Sequence, residues 1–298
     1  MQAPKGSLVA LVTPLKLNGD VDYGSLENLI EWHVEEGTNG IVSVGTTGES
    51  ATLSVIEHLE VITKTVKYVN GRIPVIAGTG NNSTRDSILL TQKARDAGAD
   101  FSLLVSPYYN KPNQEGLINH YLQIADSIDI PQILYNVPSR TGCDILPETV
   151  KILADHENII GIKEALDDMQ RIQDLLDISF ALKNKKDFYV LSGDDPTFLD
   201  SMKFGTDGVI SVVANAIPKE ISEICNFALN KEYIKAYEIN DMYSNLYKLC
   251  FIDSNPIPIK WIMYKLNKIQ NSIRSPLINL NETFHQQIMS EMVKLKLL

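Results

Sequence analysis

The chain has 298 residues, 44% hydrophobic and 21% charged, with a formal net charge of −10, ordinary values for a globular protein with a full core. The acidic balance argues against nucleic acid or an anionic membrane as partner. Three cysteines without a CxxC pair argue against a disulfide framework or zinc knot. No apolar run is long enough to span a membrane, and the opening MQAPKGSLVALVTP lacks the long apolar core of a secretion signal. A cytoplasmic protein is expected.

Short apolar runs recur along the chain: Ser7–Val12, Gly40–Val44, Ile73–Ala77, Phe101–Val105, Gln132–Tyr135, Ile159–Ile162, Phe188–Leu191 and Gly208–Val212. Most are spaced roughly 30 residues apart, the length of a strand–loop–helix–loop unit. Helical periodicity fills the gaps, as in Tyr23–Glu36, Ile56–Val69, Arg85–Ala97 and Gln114–Ile128. Continuous apolar strands alternating with helices indicate parallel strands buried on both faces. The α/β fold expected is a (β/α)8 TIM barrel, with a doubly wound open sheet as the alternative. After Ser211 no strand pattern returns. Residues 1–217 therefore read as the barrel carrying the active site, and 218–298 as barrel-closing and C-terminal helices.

In such a barrel the active site lies at the C-terminal ends of the strands. Those ends read Thr13-Pro14, Gly45-Thr46-Thr47-Gly48-Glu49, Gly78-Thr79-Gly80-Asn81-Asn82, Ser106-Pro107-Tyr108-Tyr109-Asn110, Tyr135-Asn136-Val137-Pro138-Ser139-Arg140, Lys163-Glu164, Ser192-Gly193-Asp194-Asp195 and Ser211 to Asn215. Any one could be an ordinary loop. Together they make a polar rim with a lysine in it.

Lys163 ends the run Ile159-Ile160-Gly161-Ile162. Burying an ammonium disfavours its charged form, and a neutral amine attacks ketones to form a Schiff base. A lone lysine would more often be a snorkelling strand end or half of an ion pair with Glu164; the polar rim shifts the balance. Strand alternation puts Ile159, Gly161 and Lys163 on one face, with Gly161 leaving space beside the lysine stem. The five histidines, His33, His58, His120, His156 and His285, fall in helices or at helix ends and form no cluster. They suit neither proton transfer here nor a zinc-dependent aldolase, so no metal or cofactor is expected. Tyr135, ending the neighbouring strand, is the better proton carrier if a hydroxyl such as Thr46 accepts its hydrogen bond. Gly45-Thr46-Thr47-Gly48 offers amides and hydroxyls for a carboxylate, and Arg140 could clamp a second one. Asp194-Asp195 would repel phosphate, which points to an unphosphorylated substrate.

GTTGESATL at 45–53, SPYYNKP at 106–112, YNVPSRTG at 135–142, GIKEA at 161–165, SGDD at 192–195, GVISVVAN at 208–215 and NPIPIK at 255–260 stand together in one order. In this the chain resembles the pyruvate-dependent class I lyases, the family of dihydrodipicolinate synthase and N-acetylneuraminate lyase. The resemblance implies a Schiff base between pyruvate and Lys163, proton transfer by Tyr135, and a relay through Thr46 to Tyr109 reaching in from a neighbouring subunit. It places the pyruvate carboxylate on Thr47, pyruvate against the Gly193 and Ile210 backbones, and the aldehyde's carboxylate on Arg140. GTTGE, the tyrosine pair and PSRTG resemble the synthase branch, whose substrates are pyruvate and L-aspartate 4-semialdehyde. A homotetramer built as a dimer of dimers is implied, as is a lysine-inhibitor site at Ser50, Ala51, His58, Asn82, Asp86 and Tyr108. Val55 and Asp86 depart from the lysine-sensitive pattern, so inhibition is expected to be weak or absent. The alternatives are a sugar-acid lyase, disfavoured by Arg140 and Tyr109, and a non-catalytic keto-acid-binding barrel.

Overall fold

A computed structural model describes residues 2–298. Eight parallel strands close into a barrel in sequence order: β1 (Gly6–Ala10), β2 (Gly40–Ser43), β3 (Val75–Gly78), β4 (Phe101–Val105), β5 (Gln132–Asn136), β6 (Ile159–Glu164), β7 (Tyr189–Ser192) and β8 (Gly208–Ser211). Pairing of β1 with β8 completes the circle and excludes an open sheet. The expected strands are all present, shifted by a residue or two at their ends.

The first four helices are α1 (Tyr23–Glu35), α2 (Val55–Val69), α3 (Thr84–Asp96) and α4 (Gln114–Ser127). Capping side chains fix where they start. Ser54 and Glu57 form a reciprocal capping box at α2, and Asn113 accepts from the Gly116 amide at α4. Beyond β5 the connection splits into the one-turn α5 (Pro138–Thr141) and α6 (Pro147–Leu153), each opened by a proline at its first position. Then follow α7 (Met169–Leu182), α8 (Phe198–Phe204), α9 (Pro218–Leu229), α10 (Tyr233–Leu249), α11 (Ile257–Lys265) and α12 (His285–Lys294). Helix α9 packs on β1 and takes the eighth place in the outer ring; α10 packs on α9 and α12 on α10.

Leu8, Val42, Ile76, Phe101, Leu103, Ile133, Leu191 and Ile210 fill the barrel interior. Between sheet and helices, one apolar cluster runs from Leu26 and Ile62 through Ile221 and Tyr247 to Trp261 and Met292. The C-terminal helices therefore share a core with the barrel rather than enclosing their own.

The β5–β6 ladder pairs Tyr135 with Lys163 and Asn136 with Glu164, but its register slips between Gln132 and Ile133. That irregularity breaks the simple alternation expected of β6. Ile159 packs with the outer cluster beside Leu134 and Ile162, while Ile160 packs against the interior. A Cβ on Gly161 would lie 2.5 Å from the Tyr189 carbonyl oxygen, so this glycine admits the neighbouring strand rather than the lysine stem.

Candidate active site

At the C-terminal mouth of the barrel lies a cavity of about 210 Å³. Its floor carries Lys163 and Tyr135, paired across β5 and β6. Lys163 is 5% exposed, with its Nζ 4.3 Å from the centre of the Tyr135 ring. The space for its stem comes from Gly193, where an added Cβ would approach Lys163 Cε to 2.7 Å. Glu164 is not the lysine's ion-pair partner. Its carboxylate lies on the other face of β6, where it accepts from Asn136 Nδ2 at 2.9 and 3.2 Å and from the Leu166 amide at 3.1 Å. The amine at the mouth is thus left facing the cavity.

Thr46 and Thr47 reach the cavity from the turn after β2. That turn is tied by Gly48 N–H to Gly45 O (3.1 Å), Glu49 N–H to Thr46 O (3.1 Å) and Thr13 Oγ1 to Gly48 O (2.7 Å). Val44, a β-branched residue, sits at φ 50° and Glu49 at φ 56°, strained conformations that the surrounding bonds hold in place. The Thr46 and Thr47 amides donate to no backbone carbonyl among the described residues. Two free amides and two hydroxyls on one turn make a carboxylate cradle. Thr46 and Tyr135 line the same cavity without the hydroxyl–hydroxyl bond expected between them.

Arg140, exposed on α5, lines the rim with Nη2 3.5 Å from the Asn255 carbonyl oxygen. Gly193 and Asp194 line the opposite wall. Burial raises the Asp194 carboxyl above its ordinary range, while Thr197 holds it through side-chain and backbone bonds. Asp195 does not face the cavity. It is fully buried, accepts from Ser211 Oγ (2.5 Å) and the Val212 (2.9 Å) and Val213 (3.2 Å) amides, and so fixes the turn after β8. Its carboxyl is pushed by burial up to about 6. Only one of the two acidic residues thus faces the cavity. Ile210 packs in the barrel interior and is not among the lining residues, whereas Val212 is.

Tyr109 lies outside this cavity at 90% exposure, on backbone at φ 74°. Of the six residues expected to bind lysine, Ser50, Ala51, His58 and Tyr108 line an adjoining cavity of about 330 Å³ that shares Thr46 and Arg140 with the first. Asn82 donates to the Tyr108 carbonyl at 3.2 Å and does not line it, nor does Asp86, exposed on the first turn of α3. Val55 does. Among the described residues, no group of three or more His, Cys, Asp or Glu is arranged to hold a metal ion.

Asn255 and Phe251, from the segment between α10 and α11, also line the main cavity. Asn255 Nδ2 donates to Thr47 Oγ1 at 3.0 Å, and its Oδ1 is buried without a partner. Sequence reasoning assigned neither residue to the site. The only signal was NPIPIK, whose asparagine stands 208 residues from the threonine it holds.

Fold and cavity together define a class: a (β/α)8 barrel with a buried amine at its mouth, a tyrosine beside it and a carboxylate cradle opposite. The chain belongs to the dihydrodipicolinate synthetase family, whose family model matches residues 3–295. A relative from Psychrobacter sp. (strain PRwf-1), named 4-hydroxy-tetrahydrodipicolinate synthase, is 52% identical over 284 residues, covering 95% of this chain and 92% of the relative. The chloride-inhibited dihydrodipicolinate synthase of Acinetobacter baumannii, solved with pyruvate, is 48% identical with a TM-score of 0.96, over 99% of this chain and 100% of that one. A structure described as the first monomeric dihydrodipicolinate synthase variant is 38% identical with a TM-score of 0.95, over 99% and 97%.

Proposed function

We infer that this chain condenses pyruvate with L-aspartate 4-semialdehyde through a lysine Schiff base to give 4-hydroxy-tetrahydrodipicolinate, the first committed step toward diaminopimelate and lysine. The observation that carries the chemistry is the Lys163 amine, buried at the barrel mouth beside Tyr135 and not paired with the adjacent glutamate.

Lys163 Nζ attacks C2 of pyruvate, whose carboxylate rests on the Thr46 and Thr47 amides and the Thr47 hydroxyl. Tyr135 gives its phenolic proton to the departing hydroxyl, water leaves and the imine forms. The phenolate then takes a proton from the methyl carbon, and the imine becomes an enamine. The enamine carbon bonds to the aldehyde carbon of the second substrate as Arg140 holds its carboxylate in a fork, and Tyr135 gives the proton it took from the methyl carbon to the new alkoxide. Finally the substrate's own amine adds to the imine carbon, closes the ring and expels Lys163. Every step is acid–base and nucleophilic chemistry of side chains, so the mechanism asks for no resident cofactor.

The relay from Tyr135 through Thr46 ends in this proposal on Tyr109 of a neighbouring subunit. An aromatic ring 90% exposed on strained backbone is poorly explained by a lone chain. Exposed Phe180 and Phe204 likewise fit a covered surface in a dimer of dimers. A structural neighbour described as monomeric makes the oligomeric state a quantity to measure by sedimentation. Three buried, unpaired cysteines support a cytoplasmic location.

The test is turnover of pyruvate plus L-aspartate 4-semialdehyde, coupled to NADPH oxidation through an added downstream reductase. Turnover in the wild type and its loss in Lys163→Ala are expected. A folded wild-type protein that turns over only a 2-keto-3-deoxy sugar acid or sialic acid would overturn the assignment.

A further inference from the structure

The residue after Lys163 has no part in the mechanism above, yet its carboxylate is enclosed beside the site. Glu164 has a side chain with no exposed surface. It pairs in register with Asn136 on β5, one step beyond the Tyr135–Lys163 pair. Asn136 is fixed in orientation: its Oδ1 accepts from the Ile145 amide at 3.0 Å, which turns its Nδ2 toward Glu164 and toward Asp144 Oδ1 at 2.8 Å. Glu164 also receives the Leu166 amide, and Gly193 N–H donates to its backbone carbonyl at 2.6 Å. The ends of β5, β6 and β7 that carry Tyr135, Lys163 and Gly193 therefore meet at this one residue.

Charged groups around it are few. Arg171 on α7 stands 3.9 Å away and is itself bonded at 2.7 Å to Asp144, in the connection between α5 and α6. From β7 the register partner is the uncharged Ser192, and from β5 the uncharged Asn136. A carboxylate so placed contributes no reacting atom. It holds two neighbouring strand ends through hydrogen bonds to a buried amide.

We propose that Glu164 is a positioning residue: through Asn136 it locks the end of β6 to that of β5 and so holds Tyr135 against the Lys163 amine. This rests on the Schiff-base reading of Lys163. Burial pushes the Glu164 carboxyl up to about 7, against the pull of Asn136, the Leu166 amide and Arg171, with Asp144 adding to the rise. Below that pH the acid form offers a donor where Asn136 and Leu166 also donate, and the lock loosens.

Glu164→Gln and Glu164→Asp test it. The first leaves an amide NH2 facing the NH2 of Asn136; the second keeps the charge but withdraws it by one methylene. Pyruvate-dependent borohydride trapping on Lys163, thermal melting, and kcat and KM from pH 6 to 9 are measured on each. Both variants are expected to fold and trap pyruvate with KM nearly unchanged, and to lose about tenfold or more in kcat, as small misplacements of reacting groups do. Wild-type kcat is expected to rise through pH 7, with that limb gone in Glu164→Gln. A stable Glu164→Gln with wild-type kcat and an unchanged profile overturns the proposal. Unfolding of both variants assigns Glu164 to stability alone and overturns it too. Failure of the wild type itself to trap pyruvate on Lys163 strikes instead at the Schiff-base reading.

Discussion

An alanine at position 193 would put its Cβ 2.7 Å from Lys163 Cε, 3.1 Å from Lys163 Cγ and 3.0 Å from Ala165 Cβ. Two of those atoms belong to a flexible stem that can swing aside, so the fold should tolerate the change while the amine is displaced. Overpacking of this kind costs about 1–3 kcal/mol in stability. Moving a nucleophile by about an ångström costs roughly 100-fold in rate. Gly193→Ala is therefore expected to melt within a few degrees of the wild type and to lose about two orders of magnitude in kcat/KM. Wild-type kcat/KM in the coupled assay would show that Lys163 needs no such clearance. Position 193 was legible as part of the rim, but its use was not: alternation along β6 pointed to Gly161, and the slipped β5–β6 register gave that glycine a different neighbour.

The segment from Asn255 to Arg274 holds the β2 turn from outside the barrel. Lys260 on α11 forms a buried ion pair with Glu49 and donates to the Thr13 carbonyl at 3.2 Å. Burial pulls the Lys260 ammonium below its ordinary range, and Glu49 opposes that pull. Arg274 gives its backbone amide to Glu49 at 3.0 Å and its guanidinium to the Thr52 carbonyl at 2.8 Å. The C-terminal helices thus complete the pocket that the strands begin. Breaking a buried pair leaves an uncompensated charge and costs about 3–5 kcal/mol, whereas replacing both partners by apolar groups is often nearly neutral. Lys260→Met should destabilise by that amount, and adding Glu49→Leu should restore much of it; urea unfolding of the single and double variants gives the coupling. Additive losses would mean the pair acts as two independent contacts. The barrel could be read from the sequence because parallel strands buried on both faces print continuous apolar runs. The Lys260–Glu49 contact, 211 residues apart, prints no periodicity, so the sequence showed the extension as barrel-closing helices and not as a wall of the pocket.

Across the whole molecule, buried titratable groups fall into two opposed sets. Burial holds His33 down to about 3 and His120 to about 4, and lowers His58 as well. Their folded values are depressed, so the stability they contribute is present above the unfolded imidazole value near 6.5 and is lost as pH falls below it. Glu164 at about 7 and Asp195 at about 6 run the other way. Their values are raised, so their contribution is present below the unfolded carboxylate range near 4 and is lost as pH rises through 6 and 7. Each group changes stability by at most about 1.4 kcal/mol per pH unit. Between about pH 5 and 6.5, three histidines losing stability on acidification face two carboxylates gaining it, which leaves a net loss of up to one group's slope, about 1.4 kcal/mol per pH unit. Below about pH 4 the two carboxylates titrate alike in both states, while His33 and also Glu57, held down to about 2 chiefly by its hydrogen bond from Arg274, go on losing stability as pH falls. The melting temperature is therefore expected to fall gradually as pH drops below about 6.5 and to go on falling below about 4. His33→Leu tests the cause. His33 is fully buried with Nε2 unpartnered, and its Nδ1 pairs with Thr38 Oγ1 at 2.9 Å. The variant should lose one modest hydrogen bond at neutral pH yet fall less steeply in acid. An acid limb as steep as the wild type's would assign the fall to other groups.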